Sequence, residues 1–216
     1  MRIVIAGGHG QIALLLERRL ADAGHEPVAL IRNPDHEADV VAAGAVPVLL
    51  DLEATDQDTL ARVLDGADAA VFAAGAGPGS TPERKGTVDR DASVLLADAA
   101  VQAGVPRLVQ VSAMSADRYE AGSDDIFQIY LQAKSEADAQ LRDTDLDWTI
   151  VRPGRLTDEP ATGGVEIGES LPRGEVPRDD VAAVIAELLT SGAGVRWQFD
   201  LVSGETPVGD AVAALR

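Results

Sequence analysis

Tyr130-Leu131-Gln132-Ala133-Lys134 places a phenol and an ammonium four residues apart, on one face of a helix. An ammonium beside a phenol favours the phenolate and lowers the phenol pKa toward working pH. A tyrosine so placed can pass a proton to a carbonyl oxygen as a hydride arrives. Lys85 and Lys134 are the chain's two lysines, so the pairing is no by-product of a basic composition. Ser112 follows the strand-like run Leu108-Val109-Gln110-Val111, at the carboxyl end where ligands bind in open α/β sheets. Its hydroxyl could hold the substrate oxygen. Ser115 and Tyr119 are nearby alternatives, but no lysine stands four residues after Tyr119.

A second constellation opens the chain. The apolar run Ile3-Val4-Ile5-Ala6 leads into Gly7-Gly8-His9-Gly10-Gln11-Ile12-Ala13. Leu15, Leu16, Arg19 and Leu20 then recur at helical spacing, and Gly24 supplies a left-handed stop. Strand, glycine turn and helix together make a phosphate-binding device. Gly7 permits the turn, Gly10 lets backbone approach a pyrophosphate, and the amides of Gln11 and Ile12 face the anion at the positive end of the helix. His9 lies inside this loop and either flanks the pyrophosphate or serves the loop alone. Ala13 stands where a third glycine is usual and still allows close helix–strand packing.

At the end of the next strand an acidic residue would bind a ribose 2′-hydroxyl and favour NAD. This chain has Arg32-Asn33 there. A guanidinium suits a 2′-phosphate through charge-assisted bonds, which favours NADP(H) over NAD(H). The plainer alternative is that Arg32 caps the loop or faces solvent.

Alternating strands and helices must position these groups. Strands are predicted at 27–31, 46–50, 69–73, 108–111 and 148–151, after the first at 2–6. Helices are predicted at 11–23, 34–43, 56–64, from 82 or 87 to 103, and at 127–142. A loose loop, Ala74-Gly75-Ala76-Gly77-Pro78-Gly79, follows the fourth strand. This alternation implies a doubly wound, mostly parallel α/β sheet of Rossmann type, covered on both faces. Residues 1–216 read as one such domain. From about 152 to 178 prolines and glycines break the pattern, giving a short substrate-side segment with a hairpin expected around 165–167. A helix at about 179–189, a strand at 197–202 and a short helix follow.

With 216 residues and 46% hydrophobic content the chain can bury one sizeable core. No run is long and apolar enough to span a bilayer, and no leader is expected before the first strand. Cysteine is absent, which removes disulfides and thiolate chemistry and fits a cytoplasmic location. The net charge of −18, with no basic stripe, argues against nucleic acid and anionic membrane as partners. The partner expected from the Ser112, Tyr130 and Lys134 chemistry is a small-molecule substrate. Oligomeric state stays open. His25 and His36 have no ligand companions at useful spacing, so no metal site is expected and both read as surface residues. Asp124-Asp125 reads as a helix-start cap.

Taken in order, Gly7-x-x-Gly10, Asp51-Leu52, Ala73-Ala74-Gly75, Val111-Ser112, Tyr130-x-x-x-Lys134 and Arg152-Pro153-Gly154 resemble the short-chain dehydrogenase/reductase superfamily, and within it the atypical NAD(P)H-binding members. The likeness covers nearly the whole chain. It implies that Asp51 and Leu52 contact adenine, that Ala73, Ala74 and Gly75 line the adenine ribose, and that Lys134 grips the nicotinamide ribose. It implies also that Pro153 and its neighbours wall the nicotinamide pocket. Two departures stand out: Ala73 replaces a frequent asparagine, and the substrate region is far shorter than in extended sugar-nucleotide epimerases. The reading is an NADP(H)-dependent oxidoreductase with Ser112, Tyr130 and Lys134 catalytic. A dinucleotide sensor without catalysis, or an isomerase or epimerase with tightly held cofactor, are the alternatives.

Overall fold

The computed structural model describes residues 1–77 and 79–215. Pro78, part of the predicted glycine-rich loop, and Arg216 lie outside the described residues. The first strand, β1 (Arg2–Ala6), lies in the interior of a nine-stranded sheet, third from one edge. Along β1 the side chains alternate between two cores: Ile3 and Ile5 join one, Val4 and Ala6 the other. β4 (Ala69–Phe72) repeats the division, with Ala69 and Val71 on one face and Ala70 and Phe72 on the other. Both faces are apolar because both are covered, as a parallel sheet requires.

The first face carries helices α1 (Gln11–Asp22) and α7 (Arg178–Ser191), which pack on each other. The second carries α3 (Gln57–Leu64) and α5 (Ala92–Ala103). α2 (Glu37–Ala42) follows a short 3₁₀ turn, Pro34–His36, and closes a smaller cluster through Val40. Asn33, Asp56 and Asp125 each cap a following helix or turn with a side-chain oxygen. Gly24, Gly44, Gly104 and Gly192 terminate helices at positive φ.

The remaining parallel strands are β2 (Glu26–Ile31), β3 (Val46–Leu49), β5 (Arg107–Val111), β6 (Asp147–Pro153) and β10 (Trp197–Ser203). The order β3-β2-β1-β4-β5-β6-β10 reverses direction between β1 and β4. That topological switch is where a doubly wound sheet opens a crevice at its carboxyl edge. The predicted strand–helix alternation and sheet class match this architecture.

Two features depart from the sequence reading. The long helix expected up to residue 103 is a single turn, α4 (Pro82–Arg84), then a π-helical stretch Lys85–Asp91, then α5. Such wide turns gather at functional sites. The expected hairpin around 165–167 is instead one strand, β8 (Gly164–Gly168), antiparallel to β10 from Asp200↔Gly168 to Ser203↔Val165. Its partner is distant in sequence, so local turn residues gave no sign of it. β11 (Thr206–Pro207) extends that edge before α8 (Val208–Ala213), and β7 (Arg155–Thr157) pairs with β9 (Glu175–Pro177) in a separate small sheet. No described helix is long and apolar enough to cross a membrane.

Candidate functional site

The glycine turn lies at the switch point. Gly7 has φ +80°, and a Cβ on it would stand 2.6 Å from the Ala74 Cα, so both the turn and the approach of the β4 loop require glycine. Gly10 donates its amide to the Gly7 carbonyl at 2.8 Å. A Cβ on Gly10 would lie 3.1 Å from that same oxygen. α1 starts here, so the first amides of the helix, from Gln11 and Ile12, have no intrahelical acceptor. Ile12 and Ala13 turn their side chains into the core.

Beside this turn is a cavity of about 250 Å³. Gly7, His9 and Gly10 form one side of it, and Arg32, Asp51 and Leu52 line it from the ends of β2 and β3. Ala73, Ala74 and Gly75 line it from the end of β4. The structure thus gathers nine of the residues singled out in the sequence around one space. Gln11, Ile12, Asn33, Lys134 and Pro153 lie outside that lining. Asn33 spends its side chain on the amide of Asp35. Gln11 reaches the Asp158 carboxylate at 3.4 Å, an oxygen that Arg178 also holds at 2.6 Å. Pro153 is buried at the end of β6 and accepts the Met114 amide at 3.1 Å.

His36, read above as a surface residue, lines the cavity. Its ring stacks on His9 with centroids 3.6 Å apart, and His9 contacts Asp39 at 2.8 Å. Glu53 also lines the cavity and was not singled out. Nothing local marks either residue, since their places depend on loops from different strands.

The phenol and ammonium of α6 (Ile126–Arg142) sit beyond Gly75. Lys134 is buried, and its Nζ donates to the carbonyls of Val111 at 3.2 Å and Ala74 at 3.5 Å. It thereby ties the cavity-lining loop to the end of β5. Its Nζ is 3.4 Å from Asp89 Oδ1, and Asp89 Oδ2 accepts the Ala76 amide at 3.2 Å. Asp89 belongs to the π-helical stretch and is 1% exposed. A signal for it existed: Asp89 shares a helical stripe with Ala92, Ser93 and Leu96, where an acid is out of place.

Both lysines of the chain reach the Tyr130 ring. Lys85 Nζ lies 5.2 Å from its centroid and Lys134 Nζ 5.9 Å. The phenol is nonetheless not lowered toward neutrality as the sequence suggested. Burial pushes its pKa up from the usual tyrosine range, and the carboxylates Asp89 and Asp138 push the same way. A phenol so placed holds its proton at neutral pH.

Ser112 is 3% exposed and donates to Asp138 Oδ2 at 2.7 Å. Asp138 also accepts from Gln110 at 2.6 Å and from Arg152 at 2.7 and 2.9 Å. Arg152 forks onto Asp117 as well, and that bond holds the Asp117 carboxyl down at about 2. The Ser112 hydroxyl is thus part of a buried network joining β5, β6 and α6. Ser115 takes a left-handed backbone with φ 66° at the start of the short turn Ala116–Arg118. Among the described residues no cluster of His, Cys, Asp or Glu could hold a metal ion.

A glycine turn between the first strand and helix, beside a cavity at the switch point of a parallel sheet, defines a dinucleotide-binding α/β protein of Rossmann type. The chain belongs to the NAD(P)H-binding family, whose model matches residues 7–192. It is 35% identical over its whole length, and that of its relative, to the uncharacterized sugar epimerase YhfK of Bacillus subtilis. A Bacillus halodurans structure named as a candidate NAD-dependent epimerase/dehydratase superposes with a TM-score of 0.91 at 32% identity, covering 100% of both chains. The oxidoreductase ylbE from Lactococcus lactis gives a TM-score of 0.85 at 27% identity, covering 100% of this chain and 96% of that one. These findings support the resemblance to atypical short-chain dehydrogenase/reductases.

Gly10→Val is expected to leave β1 and α1 formed, because Gly10 has an ordinary φ of −67°. The branched side chain would fill the space above the helix amides. Thermal stabilisation by added NADPH, which depends on binding to the folded state, should disappear. Undiminished stabilisation of a folded variant would show that the loop does not hold the cofactor.

Proposed function

We propose that this chain is an NADP(H)-dependent oxidoreductase acting on a small carbonyl or conjugated organic substrate. The single observation that carries this reading is the convergence of Lys85 and Lys134 on the Tyr130 ring, with Lys134 also bonded to the Ala74 loop of the cavity. That geometry supports a reacting centre at the end of a cofactor seat. The cavity, the glycine cradle and the helix amides fit the adenosine and pyrophosphate of the dinucleotide. When bound, the nicotinamide supplies or accepts the hydride.

The residues then divide the work. Gly7, Gly10 and the amides of Gln11 and Ile12 hold the pyrophosphate, with His9 beside it. Asp51 and Leu52 flank the adenine, and Ala73, Ala74 and Gly75 flank its ribose. Arg32, with Asn33 beside it, meets the 2′-phosphate, which gives the preference for NADP(H). Lys134 holds the second ribose, and Pro153 walls the nicotinamide side. Tyr130, protonated and half-buried, donates its phenolic proton to the developing alkoxide. Ser112 orients the substrate oxygen once its hydroxyl turns from Asp138. The segment 152–178 forms the substrate side.

The names of the relatives favour a second reading, an isomerase or epimerase that returns its cofactor to the starting redox state. Net change in nicotinamide absorbance separates the two: reduction consumes NADPH with the substrate, isomerisation leaves it constant.

Calorimetric titration tests the cofactor assignment. NADPH should bind more tightly than NADH, and Arg32→Ala should cost NADPH about 1.5–3 kcal/mol, the span of hydrogen bonds to charged groups, while NADH changes little. Equal affinities in the unaltered protein would overturn the preference for NADP(H).

A further inference from the structure

Glu53 occupies a singular place at the mouth of the cavity. Its amide is pinned by Asp51 Oδ1 at 3.0 Å, so the loop after β3 presents its carboxylate in a fixed direction. Oε2 contacts Arg84 Nη2 at 2.5 Å and Arg32 Nη1 at 3.4 Å. Oε1 accepts from the Thr87 hydroxyl at 2.6 Å and from Arg84 Nε at 3.4 Å. One carboxylate oxygen therefore joins guanidiniums from two separate elements, the end of β2 and the turn α4. The bond from Arg84, with help from Thr87 and from the charges of Arg84 and Arg32, holds the carboxyl below the usual glutamate range. Its charge stays in place through the neutral range.

We propose that Glu53 sets the nucleotide selectivity of this cavity by competing with a 2′-phosphate for Arg32 and Arg84, and that Arg84 is the second cation which that phosphate engages. The proposal rests on the NADP(H) reading and deepens it. Two guanidiniums around an oxyanion are the arrangement that also receives a phosphate oxygen. Here the position is held by the protein's own carboxylate. A ligand bearing a 2′-phosphate must draw Arg32 and Arg84 away from Glu53 and then sit in its repulsive field. A ligand with a free 2′-hydroxyl carries no charge there, so it gains nothing from the guanidiniums' charge and is not repelled by the carboxylate. Glu53 thus moderates the preference that Arg32 alone would give. The side chain of Glu53 is about a quarter exposed, so the competition is screened and its effect is moderate.

The test uses the adenosine half alone, titrating the full chain with adenosine 2′,5′-bisphosphate and with AMP. Glu53→Gln keeps the shape and removes the charge. It should tighten the bisphosphate about threefold to tenfold and leave AMP within about twofold, the scale of a partly screened charge pair. Arg84→Gln should weaken the bisphosphate severalfold and leave AMP unchanged. Both differences should shrink as salt is raised. If Glu53→Gln leaves the ratio of the two affinities unmoved, or weakens the bisphosphate, Glu53 is not a competitor and the proposal fails while the NADP(H) reading stands. An unaltered protein that binds AMP as tightly as the bisphosphate overturns the NADP(H) reading, and the role of Glu53 with it.

Discussion

Tyr130→Phe should bind NADPH as the unaltered protein does and lose turnover by about two to four orders of magnitude, the usual span of general acid–base catalysis. The substitution removes one oxygen and keeps the ring that both lysines contact, so the fold has little reason to change. The assay follows reduced-nicotinamide absorbance against quinones, aldehydes, ketones and enones. The pH dependence follows from the direction in which burial moves the phenol. The pKa is raised, so the proton-donating form persists above the ordinary tyrosine value of about 10. Reductive kcat/KM should show no alkaline loss from Tyr130 up to about pH 10, whereas the oxidative direction, which needs the phenolate, should rise with pH. Turnover retained by Tyr130→Phe would remove the phenol from the mechanism. A protein that binds NADPH and reduces nothing in a broad screen would favour the sensor.

Glu17→Met is expected to stabilise the fold, and most strongly at mildly alkaline pH. Glu17 lies on α1, is 0% exposed, and neither carboxyl oxygen has a hydrogen-bond partner. Burial alone pushes its pKa up to about 8. The folded state therefore favours the protonated acid, while the unfolded chain ionises near the ordinary glutamate value of 4.5. Below that value Glu17 carries no ionisation penalty. Stability is lost as pH rises from there through about 8, and the loss then levels off. The upper bound is about 5 kcal/mol at pH 8 and above, since each pH unit between the unfolded and folded pKa values costs ~1.4 kcal/mol. Met matches the length, favours helix and needs no partner. Thermal unfolding should show Tm raised by roughly 10 °C at pH 8.5, with a much smaller gain at pH 5. A gain independent of pH would mean that Glu17 is ionised in both states or paired in solution.

The sequence made the frame legible because its signals were local and periodic. β1, the glycine turn and α1 occupy consecutive residues, and each strand–helix unit ended at a glycine or a capping aspartate. Gly7, His9, Gly10 and Arg32 were legible from the residues themselves, whereas Asp51, Leu52, Ala73, Ala74 and Gly75 entered through the resemblance to short-chain dehydrogenase/reductases, and the structure lines one cavity with all nine. What escaped depended on contacts between distant segments. Asp89 stands on a buried helical stripe that the sequence shows, but its partner Lys134 comes from another helix, and Glu53 meets Arg84 only across the loop of β3. The Tyr130 environment was misjudged for the same reason. A lysine four residues away is visible in the chain, whereas the two carboxylates and the burial that outweigh it come from folding. Ser112 likewise reads as a free hydroxyl until Asp138 and Arg152 are brought beneath it.

The most direct measurement of the central claim is the structure of the complex with NADP⁺. The account predicts the adenosine in the cavity beside Arg32, the pyrophosphate over Gly10 and the first amides of α1, and the nicotinamide beside Tyr130. A carbonyl placed over the reactive carbon of that ring should bring its oxygen to ~3 Å from the Tyr130 hydroxyl. A nicotinamide turned so that no such carbonyl reaches Tyr130, or a dinucleotide bound away from the glycine turn, would contradict it.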